Sequence, residues 1–245
     1  MRILLVNPNS TRAMTLQIEA VARRVAAPGT VIDAVNPAGT PASIEGHADE
    51  ALSVPAILDL VRQGEADGAD AHVIACFDDP GLGAAREIAN GPVIGICEAA
   101  VHAVTMISAR FSVITSLERS VPILEDLMHA YGAERRCRRV RAVDLPVLAL
   151  EADPLFAREK IAQEIAAAMR EDRCDAIVLG CAGMSDHCAW LQRDCGLPVI
   201  DGVVAAVKFA EALVGAGYAT SKAGAYARPL AKVHAAPAAL AGVAL

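Results

Sequence analysis

Two stretches of this chain repeat one pattern, and that repeat limits the possible folds more than any other feature. The first begins at Asp67 (DGADAHVIACFDDPGLGAAREIANGPVIGICEAAVHAV) and the second at Asp172 (DRCDAIVLGCAGMSDHCAWLQRDCGLPVIDGVVAAVKFA). In each, an aspartate (Asp70, Asp175) stands six positions before a cysteine (Cys76, Cys181). Each cysteine ends an apolar run and opens a segment with helical pattern. Further on, Pro92-Val93-Ile94-Gly95 is answered by Pro198-Val199-Ile200-Asp201. A duplicated unit with a thiol at the same strand end in each copy predicts two domains facing each other. One cysteine from each then points into the gap.

The rest of the chain extends the duplication. Short apolar runs at residues 2–6, 30–35, 72–75 and 93–96 read as buried parallel strands, and residues 111–116, 140–145, 176–180 and 199–200 as their counterparts. Amphipathic segments at 12–26, 49–64, 120–131, 156–171 and 203–214 separate them. Strands alternating with helices give an α/β fold of two pseudo-symmetric parallel-sheet domains, with the active site in the cleft between them. The expected boundaries are residues 1–98 plus 208–228 for the first domain and 99–207 for the second. Residues 229–245 are expected to form a partly ordered tail. The closing helix is expected to pack back on the first domain.

With 245 residues the chain suffices for two domains of about a hundred residues each. Its net charge is −7, and no basic stripe with interleaved aromatics is present, which argues against nucleic-acid binding. The apolar run after Arg2 is too short for a signal peptide, and the stretch from Val101 to Leu117 is broken by Arg110, so no membrane span is expected. Seven cysteines, an odd number, fit a reducing compartment better than a disulfide framework, and a cytoplasmic protein is expected.

Ligands of open parallel sheets bind at the carboxyl ends of the strands. Cys76, Cys181, the Asn7–Thr11 turn and the Thr115-Ser116 turn all fall there. Ser10 or Thr11 is placed to cap the helix beginning near Arg12. A thiol at a helix N-terminus has its pKa lowered, so a thiolate near neutral pH is expected. Racemisation needs a base on one face of a carbon and an acid on the other, and a thiolate facing a thiol meets that need. A lone cysteine is more often simply buried, but two at matched strand-to-helix turns point to chemistry. Cys97 has no such partner, and Cys137 lies in a basic run (Arg135–Arg141) that reads as solvated.

Cofactor signals are absent from the sequence. Cys174, Cys181, Cys188 and Cys195 fall seven apart, but strand, turn and helix intervene, so no metal site is expected. Neither Gly81-Leu82-Gly83 nor the Gly180–Gly183 stretch is a nucleotide-binding loop. None of the four lysines (Lys160, Lys208, Lys222, Lys232) is marked for a Schiff base, so no cofactor is expected.

The stretches ILLVNPNST, PASIEG, IACFDDPGL, FSVITSLERSVP and IVLGCAGM together resemble the hydantoin racemase family of the aspartate/glutamate racemase superfamily. The resemblance runs to about Lys222. It implies a pyridoxal-independent two-cysteine racemase, usually a homo-oligomer, with Cys76 and Cys181 as acid and base. It also implies a pocket of Asn7, Ser43, Ile44, Phe77, Asp78, Thr115, Ser116, Ala182 and Gly183. Amino-acid racemases of that superfamily carry Asn-Thr after the first cysteine. Here the residues after Cys76 are Phe77-Asp78-Asp79, which suits a neutral ring with an apolar side group better than a zwitterion. Asp78 either accepts a ring N–H or caps a helix beginning near Pro80. The expected substrates are 5-monosubstituted hydantoins. Allantoin, itself a 5-substituted hydantoin, is the alternative, with amino-acid racemisation and malonate-type decarboxylation ranked lower. A two-domain binding protein is the non-enzymatic alternative.

Overall fold

A computed structural model describes residues 1–232. In chain order it runs β1 (Arg2–Val6), α1 (Arg12–Val25), β2 (Val31–Val35), α2 (His47–Ala66), β3 (Ala71–Ile74), α3 (Leu82–Ile88), β4 (Val93–Gly95) and α4 (Ile96–Ile107). The second half consists of β5 (Phe111–Thr115), α5 (Val121–Ala130), β6 (Cys137–Ala142), α6 (Ala149–Ala152), α7 (Pro154–Glu171), β7 (Ala176–Leu179), α8 (Cys188–Cys195), β8 (Val199–Asp201) and α9 (Gly202–Gly215). The strands form two four-stranded sheets, ordered β2-β1-β3-β4 and β6-β5-β7-β8. Every pairing is parallel. The duplicated sequence therefore builds the same sheet twice. β3, β5 and β7 are buried along their whole length, as strands covered by helices on both faces are; their polar members, His72, Ser112 and Thr115, bond to Glu65, Asp172 and Gly180 O.

One apolar core joins the two halves. Ile3, Leu5 and Val73 of the first sheet share it with Phe111, Val113 and Val178 of the second. The helices between them are exchanged. α4 leaves the first sheet and packs on β7 and β8, while α9 leaves the second and packs on β3, β4 and α1. Val101 and Val104 of α4 and Val203 and Val207 of α9 are fully buried, each contributing roughly 1.5–3 kcal/mol. The two helices meet where they begin. A Cβ on Gly202 would stand 2.5 Å from the carbonyl oxygen of Ile96, a contact only glycine permits.

The basic run is a correction. It does not form a solvated segment before a strand at 140–145; the strand begins at Cys137 and is the edge of its sheet. Pairing with β5 turns Arg141 inward, where it is 7% exposed. There its guanidinium meets Asp172 (2.6 Å), Glu171 (2.7 Å) and Glu164 (2.8 Å). Past α9, Thr220 bonds the backbone of Asn90 and Gly91, and the Lys222 ammonium donates to the carbonyl of Arg86 at 2.5 Å. Most of the tail expected at 229–245 lies outside the described residues. No described helix is long and apolar enough to cross a membrane.

Candidate active site

Both cysteines stand at the carboxyl ends of central strands, placed by matching bonds. The N–H of Ala75 donates to Val6 O at 2.8 Å, and that of Gly180 to Ile114 O at 2.7 Å. Each cysteine comes next and enters the same turn. The N–H of Asp79 closes on Cys76 O at 3.1 Å, and that of Met184 closes on Cys181 O at 3.0 Å. Beyond these turns the halves differ. Cys181 leads directly into a 3-10 segment, Ala182–His187, whereas α3 waits until Leu82.

One narrow cleft takes both thiols. Its walls are Asn9, Met14, Ile44, Ala75, Cys76 and Phe77, with Asp78, Thr115, Ser116, Ser120, Val147, Gly180, Cys181 and Ala182 completing it. The space between them is about 30 Å³, on the order of a water molecule or two. Across the mouth, Glu45 accepts the N–H of Val147 at 2.9 Å, tying the loop after β2 to the loop after β6. Among the described residues Asp78 is the one charged residue of the lining, and no basic side chain is part of it.

Among the residues expected at the site, Cys76, Cys181, Ile44, Phe77, Asp78, Thr115, Ser116 and Ala182 share this cleft. Asn7, Ser43 and Gly183 are not part of its lining. Asn7 is buried and donates to Asn9 Oδ1 and Thr15 Oγ1, both at 3.0 Å, so it holds Asn9 in place. Ser43 donates to Glu45 at 3.3 Å. Gly183 backs onto Cys181, where a Cβ would lie 3.6 Å from the sulfur. Asn9, Met14, Ser120 and Val147 were not foreseen. Asn9 carried a signal, since it sits in the same Asn-Pro-Asn turn as Asn7. The cap expected from Ser10 or Thr11 does not form. The hydroxyl of Thr11 instead donates to Ala42 O at 2.7 Å, anchoring the loop that carries Ile44.

The electrostatics overturn one expectation. The turns do not lower the thiol pKa values. Burial pushes Cys76 well above the ordinary thiol range and the Asp78 carboxylate adds to it, against the N–H of Asp78 at the sulfur. Burial likewise pushes Cys181 up to about 12, with the N–H of Gly183 opposing and the charge of Asp78 reinforcing. Short turns present few aligned dipoles, and an apolar wall outweighs them. Asp78 does not cap a helix, since α3 has Gly81 at its N-cap. Burial, then the charge of Glu50, raises the Asp78 carboxyl to about 7.

This architecture is shared with characterised proteins. A family model described as Asp/Glu/Hydantoin racemase matches residues 3–210. A hydantoin racemase of Rhizobium meliloti is 63% identical, over 96% of this chain and 98% of that protein. One from Pseudomonas sp. (strain NS671) is 47% identical, over 96% of this chain and 94% of that protein. The structure of allantoin racemase from Klebsiella pneumoniae superposes with a TM-score of 0.94 at 50% identity, covering 97% of each chain. With its doubled sheet, its paired cysteine turns and these relatives along nearly its whole length, the chain belongs to the Asp/Glu/Hydantoin racemase family and is a racemase.

Proposed function

We propose that the protein interconverts the D and L forms of 5-monosubstituted hydantoins, without a cofactor, through Cys76 and Cys181. The observation that carries this reading is the pair of thiols on equivalent turns in one cleft. One cysteine, as thiolate, takes the proton from C5, and the electron pair moves into the adjacent carbonyl to give an enolate. The other, as thiol, returns a proton to the opposite face, and the roles exchange in the reverse direction. The C5 hydrogen lies beside a carbonyl within an imide ring and is far more acidic than that of an amino-acid zwitterion. Two thiols with raised pKa values therefore suffice only for so activated a carbon.

The lining supports a neutral ring. Among the described residues, a carboxylate substrate would meet Asp78 and no basic side chain. Met14, Ile44, Phe77 and Val147 offer an apolar wall for the C5 side group. Asn9, Thr115, Ser116 and Ser120 offer donors and acceptors to the ring, and Asp78 an acceptor for a ring N–H. The same polar residues fit the ureido group of allantoin, which keeps allantoin as the second reading beside the likeness to an allantoin racemase. In this reading residues 1–98 with 208–228 form one lobe and residues 99–207 the other. In the same reading the enzyme works in the cytoplasm as a homo-oligomer, so light scattering is expected to give a multiple of the 25.4 kDa chain mass, and a single chain mass would refute the oligomer.

The test follows the optical rotation of one enantiomer of 5-benzylhydantoin in D₂O, with a chelator and no pyridoxal phosphate. Decay to zero with deuterium at C5 is expected. Decay no faster than in enzyme-free buffer would remove aryl hydantoins, and allantoin would be tried next.

A further inference from the structure

The two cysteine turns part at their fourth residue. Met184 continues into the 3-10 segment with its side chain fully buried, and that segment packs on α1. Cys181 is thus held by the packing of the 3-10 segment on its carboxyl side. Asp79 instead takes φ 47°, the left-handed region uncommon for residues with a side chain. No helix begins until Leu82, so packing of that kind does not hold Cys76.

A tether stands in its place. The Asp79 carboxylate accepts the N–H of Cys97 at 3.1 Å and of Glu98 at 2.9 Å, and the hydroxyl of Tyr131 at 2.7 Å. The first two are free donors in the first turn of α4, and Tyr131 lies just past α5 in the other half of the chain. Helix α9 meets the same need in the ordinary way. Its own N-cap, Asp201, accepts from Val203 at 2.6 Å and Val204 at 3.0 Å. The matching position before α4 is Gly95, and a Cβ there would fall 2.3 Å from the Asp79 carboxylate. The capping carboxylate has moved from the strand end to the cysteine turn. An aspartate at 95 would cap α4 equally well but would leave the turn loose. The geometry therefore points to Asp79 as a positioning residue, which fixes the Cys76 turn against α4 and Tyr131 and so sets where the thiol stands in the cleft. The inference rests on the role proposed for Cys76. Displacing a reacting group by about an ångström lowers the rate on the order of a hundredfold.

Four variants separate this from a merely structural cap. Asp79→Gly, which glycine's tolerance of positive φ makes foldable, is expected to lower both Tm and kcat. Asp79→Gly combined with Gly95→Asp is expected to recover Tm, while kcat stays down about a hundredfold and KM is little changed. Tyr131→Phe keeps the cap and loses one tether, so kcat falls about tenfold with Tm nearly unmoved, by analogy with smaller displacements. Recovery of kcat together with Tm in the double variant would mean that Asp79 only caps α4, and full kcat in Tyr131→Phe would remove the tether to the other half. Cys76→Ser runs in parallel. If it racemises at the wild-type rate, the thiol assignment fails, whatever the Asp79 variants do.

Discussion

If Cys76 and Cys181 are the acid and base proposed above, their burial gives racemisation a definite pH dependence. With Cys181 pushed up to about 12, its thiolate is on the order of one part in 10⁵ at pH 7, and reaching it costs about 7 kcal/mol. Cys76 is raised well beyond the ordinary thiol too, so neither cysteine supplies a ready base. Each further pH unit yields tenfold more thiolate, worth about 1.4 kcal/mol. The kcat/KM of the free enzyme is thus expected to rise about tenfold from about pH 7.5 to 8.5. From about 6.5 to 7.5 the rise is shallower, because Asp78, with its carboxyl at about 7, is ionising there. Its new charge raises both thiols as the pH climbs. Initial rates from optical rotation give the curve, and iodoacetamide alkylation of the substrate-free enzyme gives a second one that should run parallel. A plateau already established by about pH 7 in both would refute the reasoning. It would mean a preformed thiolate, with donors at the sulfur outweighing the apolar wall.

Asp78→Asn removes the nearest charge from the thiols and is expected to move both curves to lower pH, by up to about one unit; an unmoved profile would place that carboxylate away from the chemistry. Cys76→Ser and Cys181→Ser are each expected to lose about 10³-fold in racemisation while unfolding at the wild-type temperature, since acid and base are both required. Full activity in either would sink the two-base assignment. Arg141→Met strips the partner from buried Asp172 and is expected to lower unfolding free energy in urea by about 3–5 kcal/mol at neutral pH. Burial raises the Asp172 carboxyl, but Arg141 and the Ser112 hydroxyl outweigh it and hold it below the usual range. A depressed carboxyl contributes stability above its unfolded pKa and loses it as pH falls through the folded one. The gap between wild type and variant should therefore close as the pH drops below about 4.

The duplication was legible because strand ends repeat at fixed spacing, and it led directly to Cys76 and Cys181. Parallel strands buried on both faces, such as β3, β5 and β7, read as mostly apolar runs and were recognisable as such, whereas β6 was placed three residues late. That strand is an edge, and its arginines masked it. Arg141 is sheltered by acids from α7 and its end, which only the folded chain brings near. Asn7 and Asn9 looked equivalent in sequence. The fold separates them, since Asn7 faces inward to Thr15 and Asn9 faces the cleft. The thiol pKa values were misjudged for a similar reason. A strand-to-helix pattern announces a dipole, but the enclosing walls come from both halves of the chain.

On the proposed two-thiol mechanism, these walls would make the site selective by weakness. If Cys76 and Cys181 are the acid and base proposed above, the cost of forming the thiolate adds to that of forming the carbanion, so an already acidic carbon is favoured over an ordinary α-carbon. A hydantoin lowers the second cost through its imide carbonyl, and closing the cleft strengthens every remaining interaction with the developing enolate. The clasp between Glu45 and Val147 is where such closure would be felt, since each stands beside or within the lining and they come from opposite halves. With no basic side chain in the lining among the described residues, a ring-opened carboxylate gains no ion pair there to offset its lost hydration. On the proposed mechanism, the same apolar enclosure that raises the thiols favours neutral substrates whose carbon acid is already activated.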